Sequence, residues 1–248
     1  MTKFLYHEPC PQCGSKNNLG VWDDGHKWCF GCKYYEYGTK TAHHVHKPQI
    51  SATYNPKIFP EDASDYIPSE PLRWLFSCGL TYDLIEEHKI KWSPSQQLVC
   101  WRIFGISGKE LGWQGRCFKK DAKTKYIGHG KIHSEPCILG GTFPLSFLAE
   151  NPKYTVVLCE DILSAIRVSA YLPAMPLFGC AISKELLVEL KKRFTNIIVW
   201  LDADKLDNAR KVGLNASLIG LSSQVLYTPK DPKNYTNEEI KNYLETLE

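Results

Sequence analysis

Ile197-Ile198-Val199-Trp200-Leu201-Asp202-Ala203-Asp204 is the stretch on which the fold turns. Five apolar residues in a row, three of them β-branched, predict a strand buried on both faces, because a strand with one wet face alternates with polar residues. Two aspartates follow where the strand ends. A second run of this kind, Tyr154-Thr155-Val156-Val157-Leu158-Cys159, ends on Glu160-Asp161. Around them the pattern predicts a helix to about residue 171, a short strand near Pro176-Leu177-Phe178, and a helix from Ser183 to Arg193. A helix to about Gly220, a strand at 224–227 and a terminal helix from about 236 complete it. Strands alternating with helices predict an α/β domain over 151–248, a parallel sheet covered on both faces.

Parallel sheets bind ligands at the carboxyl ends of their strands. Glu160, Asp161, Asp202 and Asp204 stand at two such ends, and Asp231 follows the strand at 224–227. Read as oxygen donors with no counter-cation, these five suit Mg²⁺, and two such ions can clamp the attacking and leaving oxygens of phosphoryl transfer. Aspartate is also a good helix N-cap, and Asp161 and Asp204 are candidates for that plainer role.

The other end of the chain carries different chemistry. Cys10-Pro11-Gln12-Cys13 and Cys29-Phe30-Gly31-Cys32 are separated by fifteen residues. Two such pairs suit one tetrahedral Zn²⁺, with Gly14 and Gly31 fitting the turns. Residues 1–38 are too few to build a core, so metal would supply their folding energy. Trp22, His26, Lys27 and Trp28 crowd the loop between the pairs, where rings can stack on bases and His26 can reach base edges or phosphates. Residues 39–60 hold His43, His44, His46, polar residues and prolines, and read as a solvated linker.

Residues 61–150 are predicted to form a mixed α+β subdomain. Leu72, Leu75 and Phe76 mark one helix, Gly79 a break, and Leu84 and Ile85 a second helix; strands are predicted at 98–104 and 110–118. Net charge over all 248 residues is only +3. Arg102, Lys109, Arg116, Lys119, Lys120, Lys123, Lys125 and Lys131 face only Glu110 and Asp121 between residues 102 and 131, so the basic excess is local. Such a stretch can hold a template strand and a triphosphate. Six single cysteines (Cys78, Cys100, Cys117, Cys137, Cys159, Cys180) read as small buried apolar residues. No apolar run reaches the ~20 residues of a membrane span, and Met1–Glu8 lacks the apolar core of a signal peptide. A cytoplasmic protein is expected, in the host cytoplasm if phage-encoded.

The order of these parts resembles the phage-type DNA primases, whose catalytic core is a TOPRIM domain. Leu75-Phe76-Ser77-Cys78-Gly79-Leu80 and Ile90-Lys91-Trp92-Ser93-Pro94 resemble the start of that family's polymerase domain, and Gly112-Trp113-Gln114-Gly115-Arg116 one of its strands. Val157-Leu158-Cys159-Glu160 is similar to the TOPRIM glutamate motif, Leu201-Asp202-Ala203-Asp204 to its Asp-x-Asp motif, and Pro229-Lys230-Asp231 to its late Lys-Asp. The resemblance implies a nucleotidyltransferase making RNA primers from NTPs on single-stranded DNA in phage replication. It further implies Zn²⁺ on the four cysteines and Mg²⁺ on Glu160, Asp202 and Asp204. Arg116, Lys119, Lys120, Lys123 and Lys125 would hold phosphates, while His26 and Trp28 help select the template site. The sequence lacks a Gly-x-x-x-x-Gly-Lys-Ser/Thr loop, so a separate replicative helicase, together with a DNA polymerase, is the expected partner.

Two departures stand out. The family has Gly after the glutamate and an acid four residues beyond it, where this chain has Asp161 and Ser164. Leu206-Asp207 stand where the family often has Ala-Gly. Asp161 is therefore expected to stand in for the missing acid as a Mg²⁺ ligand. Two alternatives remain open on these residues: a TOPRIM nuclease or topoisomerase-like enzyme, and a non-catalytic DNA-binding or helicase-recruiting factor.

Overall fold

The structure, a computed structural model, describes residues 2–36, 58–140 and 155–247. The chain divides into two compact units, Met1–Tyr54 and Asn55–Glu248. The expected linker, with its three histidines, lies outside the described residues except for 58–60, and so does the expected boundary at 150.

The first unit is a ribbon. Strands β1 (Phe4–Glu8), β2 (Leu19–Trp22), β3 (Lys27–Cys29) and β4 (Tyr35–Glu36) form one antiparallel sheet in chain order. Its buried apolar cluster is Cys10, Leu19 and Cys29, with Tyr34 packed against it. That is too little apolar surface to offset the entropy of ordering some thirty residues, so the fold must be held another way.

The second unit opens with the expected helix pair, α1 (Ser69–Ser77) and α2 (Tyr82–Glu87). Gly79 makes the break at φ 75°, where a Cβ would lie 2.6 Å from Arg167 Nε. Strands β5 (Lys91–Ser93), β6 (Leu98–Phe104), β7 (Glu110–Cys117) and β8 (Tyr126–Gly130) form an antiparallel sheet in chain order. The sequence pattern reaches β6 and β7 but not β5, which is only three residues long, or β8, whose glycines erase its alternation. One of those glycines lies across from Gly112, which must be glycine because a Cβ there would sit 2.0 Å from the His129 carbonyl oxygen.

A parallel sheet follows, made of β9 (Thr155–Cys159), β10 (Ala174–Pro176), β11 (Asn196–Trp200) and β12 (Ser222–Val225) in the order β10-β9-β11-β12. Its helices are α3 (Ile162–Val168), α4 (Lys184–Lys191), α5 (Leu206–Leu218) and α6 (Asn237–Glu245). The period of two divides the apolar runs between two cores. Val156, Leu158, Ile197 and Val199 pack against Leu187 and Leu190 of α4 and Val212 of α5. Val157, Cys159, Ile198 and Trp200 face the other way, onto Ala165 of α3 and Ile240 of α6. Helix α3 also sends Ile162, Leu163 and Ile166 into the core of α1, α2 and the antiparallel sheet, so every one of its residues is buried. β12 begins two residues earlier than the pattern suggests, because Ser222 and Ser223 lie on an edge strand where polar residues are tolerated.

Candidate metal centres and nucleic-acid interface

In the ribbon the four cysteine sulfurs lie within 4.8 Å of one another. Cys10 and Cys32 Sγ are 3.7 Å apart, and Cys13 and Cys29 Sγ 3.8 Å. At a Zn–S bond of about 2.3 Å the edge of a sulfur tetrahedron is about 3.8 Å, so the donor set fits zinc. The two turns are built alike. Cys10 N–H donates to the Ser15 carbonyl and accepts, through its own carbonyl, from Gly14 N–H; Cys29 does the same with Tyr34 and Lys33. The left-handed residues are thus Gly14 (φ 68°) and Lys33 (φ 63°). Gly31, expected to serve the second turn, does not occupy that region.

Of the ribbon residues expected to read nucleic acid, His26 is stacked on Trp22, with ring centroids 4.4 Å apart and planes 13° from parallel. Its Nδ1 lies 2.5 Å from Asp24 Oδ1, which fixes the ring. Trp28 lies beside Tyr35, centroids 6.2 Å apart. Phe4, Tyr6 and Tyr35 on the same small sheet, and Phe30 in the turn after β3, are exposed rings.

The carboxylates meet as the sheet order requires. Cys159 and Trp200 are register partners. One residue beyond them come Glu160 and Leu201, and two beyond, Asp161 and Asp202. Asp231 belongs to the loop after β12 and accepts a hydrogen bond from Ala203 N–H at 3.3 Å. The expectation of acids without a counter-cation does not hold. Lys233 Nζ lies 2.8 Å from Asp161 Oδ2, 3.2 Å from Asp231 Oδ2 and 3.4 Å from Asp202 Oδ2. Asp204, mostly exposed, is paired with Lys205.

Electrostatics follow from this crowding. Burial works against the charge of Lys233, but Asp161, Asp202 and Asp231 overcome it and hold the ammonium well above the lysine range. Asp202 is pushed up to about 7, by burial first and then by Asp161, Asp231 and Glu160, against the pull of Lys233. These two shifts are compatible because three carboxylates share one ammonium, and Asp202 is the farthest of the three. Burial, with Asp204 and Asp161 adding to it, also raises Glu160. Glu160 Oε2 and Asp202 Oδ1 are buried and have no hydrogen-bond partner among the described residues. Two unpartnered carboxylate oxygens at neighbouring strand ends are a costly arrangement and are oxygen donors of the kind Mg²⁺ takes, although among the described residues only the four cysteines bring three or more ligand atoms within 4.8 Å of one another.

Asp161, expected as a Mg²⁺ ligand, is heavily engaged within the protein. Its Oδ1 accepts from Leu163 and Ser164 N–H, and its Oδ2 from the Ser164 hydroxyl and Lys233. Four donors fill the roughly four acceptor sites of a carboxylate. The residue caps α3, and Ser164 is one of its hydrogen-bond donors, through both its N–H and its hydroxyl.

The basic residues fall into two kinds. Arg102 is spent on Glu110 by two 2.8 Å hydrogen bonds. Arg116 is enclosed by rings, its Cζ 4.4 Å from the Trp74 centroid and 5.7 Å from those of Phe118 and Tyr126, and its Nε is buried without a partner among the described residues. Lys119, Lys120, Lys123 and Lys125 are exposed between β7 and β8.

Two residues that shape the carboxylate site escape the sequence reading. One is Lys233, whose only signal is a basic residue two positions after Asp231, with Pro232 starting a short 3₁₀ turn. The other is Arg167, which donates to the carbonyls of Gly79 and Tyr235 at 2.7 Å each and so ties α3 to both neighbours of the site.

No family model matches the chain. The primase fragment of the bacteriophage T7 primase-helicase superposes over 98% of both chains, with a TM-score of 0.52 and 18% identity. The zinc-binding and RNA polymerase domains of the Aquifex aeolicus primase match 72% of this chain and 56% of theirs, with a TM-score of 0.59 and 14% identity. A DNA helicase/primase of Enterobacteria phage T3 is 52% identical over 31 residues, which are 12% of this chain and 6% of that protein. The chain therefore has the primase fold, a zinc ribbon and a catalytic-core architecture with a parallel sheet. Among the described residues no helix is long and apolar enough to cross a membrane.

Proposed function

We propose that this chain is a DNA primase: it joins NTPs into short RNA primers on single-stranded DNA. The observation that carries the reading is the pair of unpartnered buried oxygens, Glu160 Oε2 and Asp202 Oδ1, at neighbouring strand ends beside Asp204. Mg²⁺ held there would lower the pKa of a primer 3′-hydroxyl and neutralise the triphosphate it attacks. Glu160, Asp202 and Asp204 supply the charge that holds the ion, with Asp231 behind them. Asp161 caps α3 and fixes the lysine. Arg116, immobilised by Trp74, presents a guanidinium of set orientation to a phosphate. Lys119, Lys120, Lys123 and Lys125 draw in the template backbone, and the rings around His26 and Trp28 stack on its bases. A separate replicative helicase and DNA polymerase would work alongside it.

The test is single-stranded DNA with labelled NTPs and Mg²⁺. Labelled oligoribonucleotides are expected, and Asp202→Ala should lower their yield roughly a thousandfold, as loss of several kcal/mol of metal-based stabilisation implies. Cut template in place of primers would make the site a nuclease, and neither product would make the chain a binding factor.

A further inference from the structure

Lys233 is a costly residue to place where it is. Its side chain is 14% exposed, and its ammonium donates hydrogen bonds to Asp161 and Asp202 and lies 3.2 Å from Asp231 Oδ2. Asp231 is held in turn by Ala203 N–H, and Asp161 by the first turn of α3. The lysine is therefore fixed by partners that are themselves fixed. Asp202 divides its two oxygens: Oδ2 faces the ammonium, while Oδ1 is buried with no partner among the described residues. In a two-metal site one carboxylate bridges two cations about 3.5–4 Å apart. Asp202 has that disposition, with a lysine nitrogen on one side and the free oxygens of Asp202 and Glu160 on the other.

We infer that Lys233 takes the place of one of the two cations. The ammonium is the resident charge on Asp161, Asp202 and Asp231, and the free protein binds a single divalent ion, through Glu160, Asp202 and Asp204. The inference rests on the reading of this cluster as a cation-dependent nucleotidyl-transfer centre. Lys233 is then a positioning residue: it holds three acids at the spacing the ion needs and removes the repulsion that would otherwise spread them. A carboxylate cluster balanced in this way folds before it is loaded.

The experiment counts Mn²⁺ on the zinc-loaded full chain by equilibrium dialysis with electron paramagnetic resonance. About one Mn²⁺ per chain is expected, lost in Asp202→Asn. Lys233→Gln should take about two, with the broadened spectrum of two coupled ions, and Lys233→Arg should stay near one. Two ions on the parent protein, none at all, or an unchanged count in Lys233→Gln would overturn the inference. Should Lys233→Gln not fold, the parent count still decides, since two or none there is sufficient refutation. Primer assays on the same proteins separate this idea from the one beneath it. An absence of primers with the one-to-two change intact would sink the enzymatic reading and leave the cation assignment standing.

Discussion

The ribbon turns four sulfurs on one another, whereas the parallel sheet turns three carboxylates on a lysine. Both are gatherings of anionic ligands, but they balance their charge differently. The ribbon has a buried cluster of three residues, and an added ion is what can hold its two turns together. The sheet has two apolar cores of its own and carries a cation in its sequence. On the proposed reading a metal builds the first site and would be received by the second. One chain would then use metal once as a folding element and once as a ligand of a finished structure.

That contrast is open to direct attack. The largest effect is expected from Cys29→Ser, or from a strong chelator: zinc should leave and the ribbon unfold, since such ions supply on the order of 10 kcal/mol to domains of this size. Asn55–Glu248 should keep its amide spectrum throughout. A ribbon that stays ordered without zinc would end the comparison. Next comes Arg167→Met, which strands the carbonyls of Gly79 and Tyr235 and should cost about 2–3 kcal/mol in denaturant unfolding. If the sheet unit stands on its own packing, that loss should appear with and without Mg²⁺ alike.

Asp161→Asn is a smaller change. Asparagine caps as well as aspartate but leaves the Lys233 ammonium one carboxylate short, so denaturant unfolding should show a loss of about 1–2 kcal/mol. The Mg²⁺ requirement should match that of the parent protein. A requirement raised about tenfold would return Asp161 to the metal's own ligands. The smallest effect concerns Lys119→Ala with Lys120→Ala. Each ammonium that no longer pairs with a phosphate should lower the salt slope of single-strand binding by about 0.7, measured by fluorescence titration. Trp28→Ala in the ribbon should weaken binding with the slope unchanged, because stacking releases no counterions. Identical slopes in both variants would erase the distinction between the two surfaces.

How much of this can be read in the sequence depends on the range of the signal. The runs at 155–159 and 197–201 declare buried strands because their apolar residues are consecutive. The four cysteines declare a metal because thiolates at that spacing have few other uses. Both signals are local. Lys233 is silent for the opposite reason. Its three partners come from the loops after β9, β11 and β12, between 2 and 72 residues away, and nothing in Asp231-Pro232-Lys233 says which acids will meet the ammonium. Arg167 is equally mute: a basic residue in the last turn of a helix ordinarily points to water, and only the burial of α3 on both sides turns it inward. β8 hides behind its glycines, which are required by a backbone approach that exists only once the sheet is formed.

The indole of Trp200 lies in the core of the parallel sheet and donates its N–H to the Thr228 hydroxyl, 2.8 Å away; that hydroxyl in turn donates to the Lys230 carbonyl at 2.8 Å. The next residue is Asp231. For anyone redesigning this protein, the consequence is that interior and chemistry cannot be edited as separate modules. A core swap as mild as Trp200→Phe removes one anchor of the loop that carries Asp231 and Lys233, so a library aimed only at thermostability would be sampling the geometry of the carboxylate site as well.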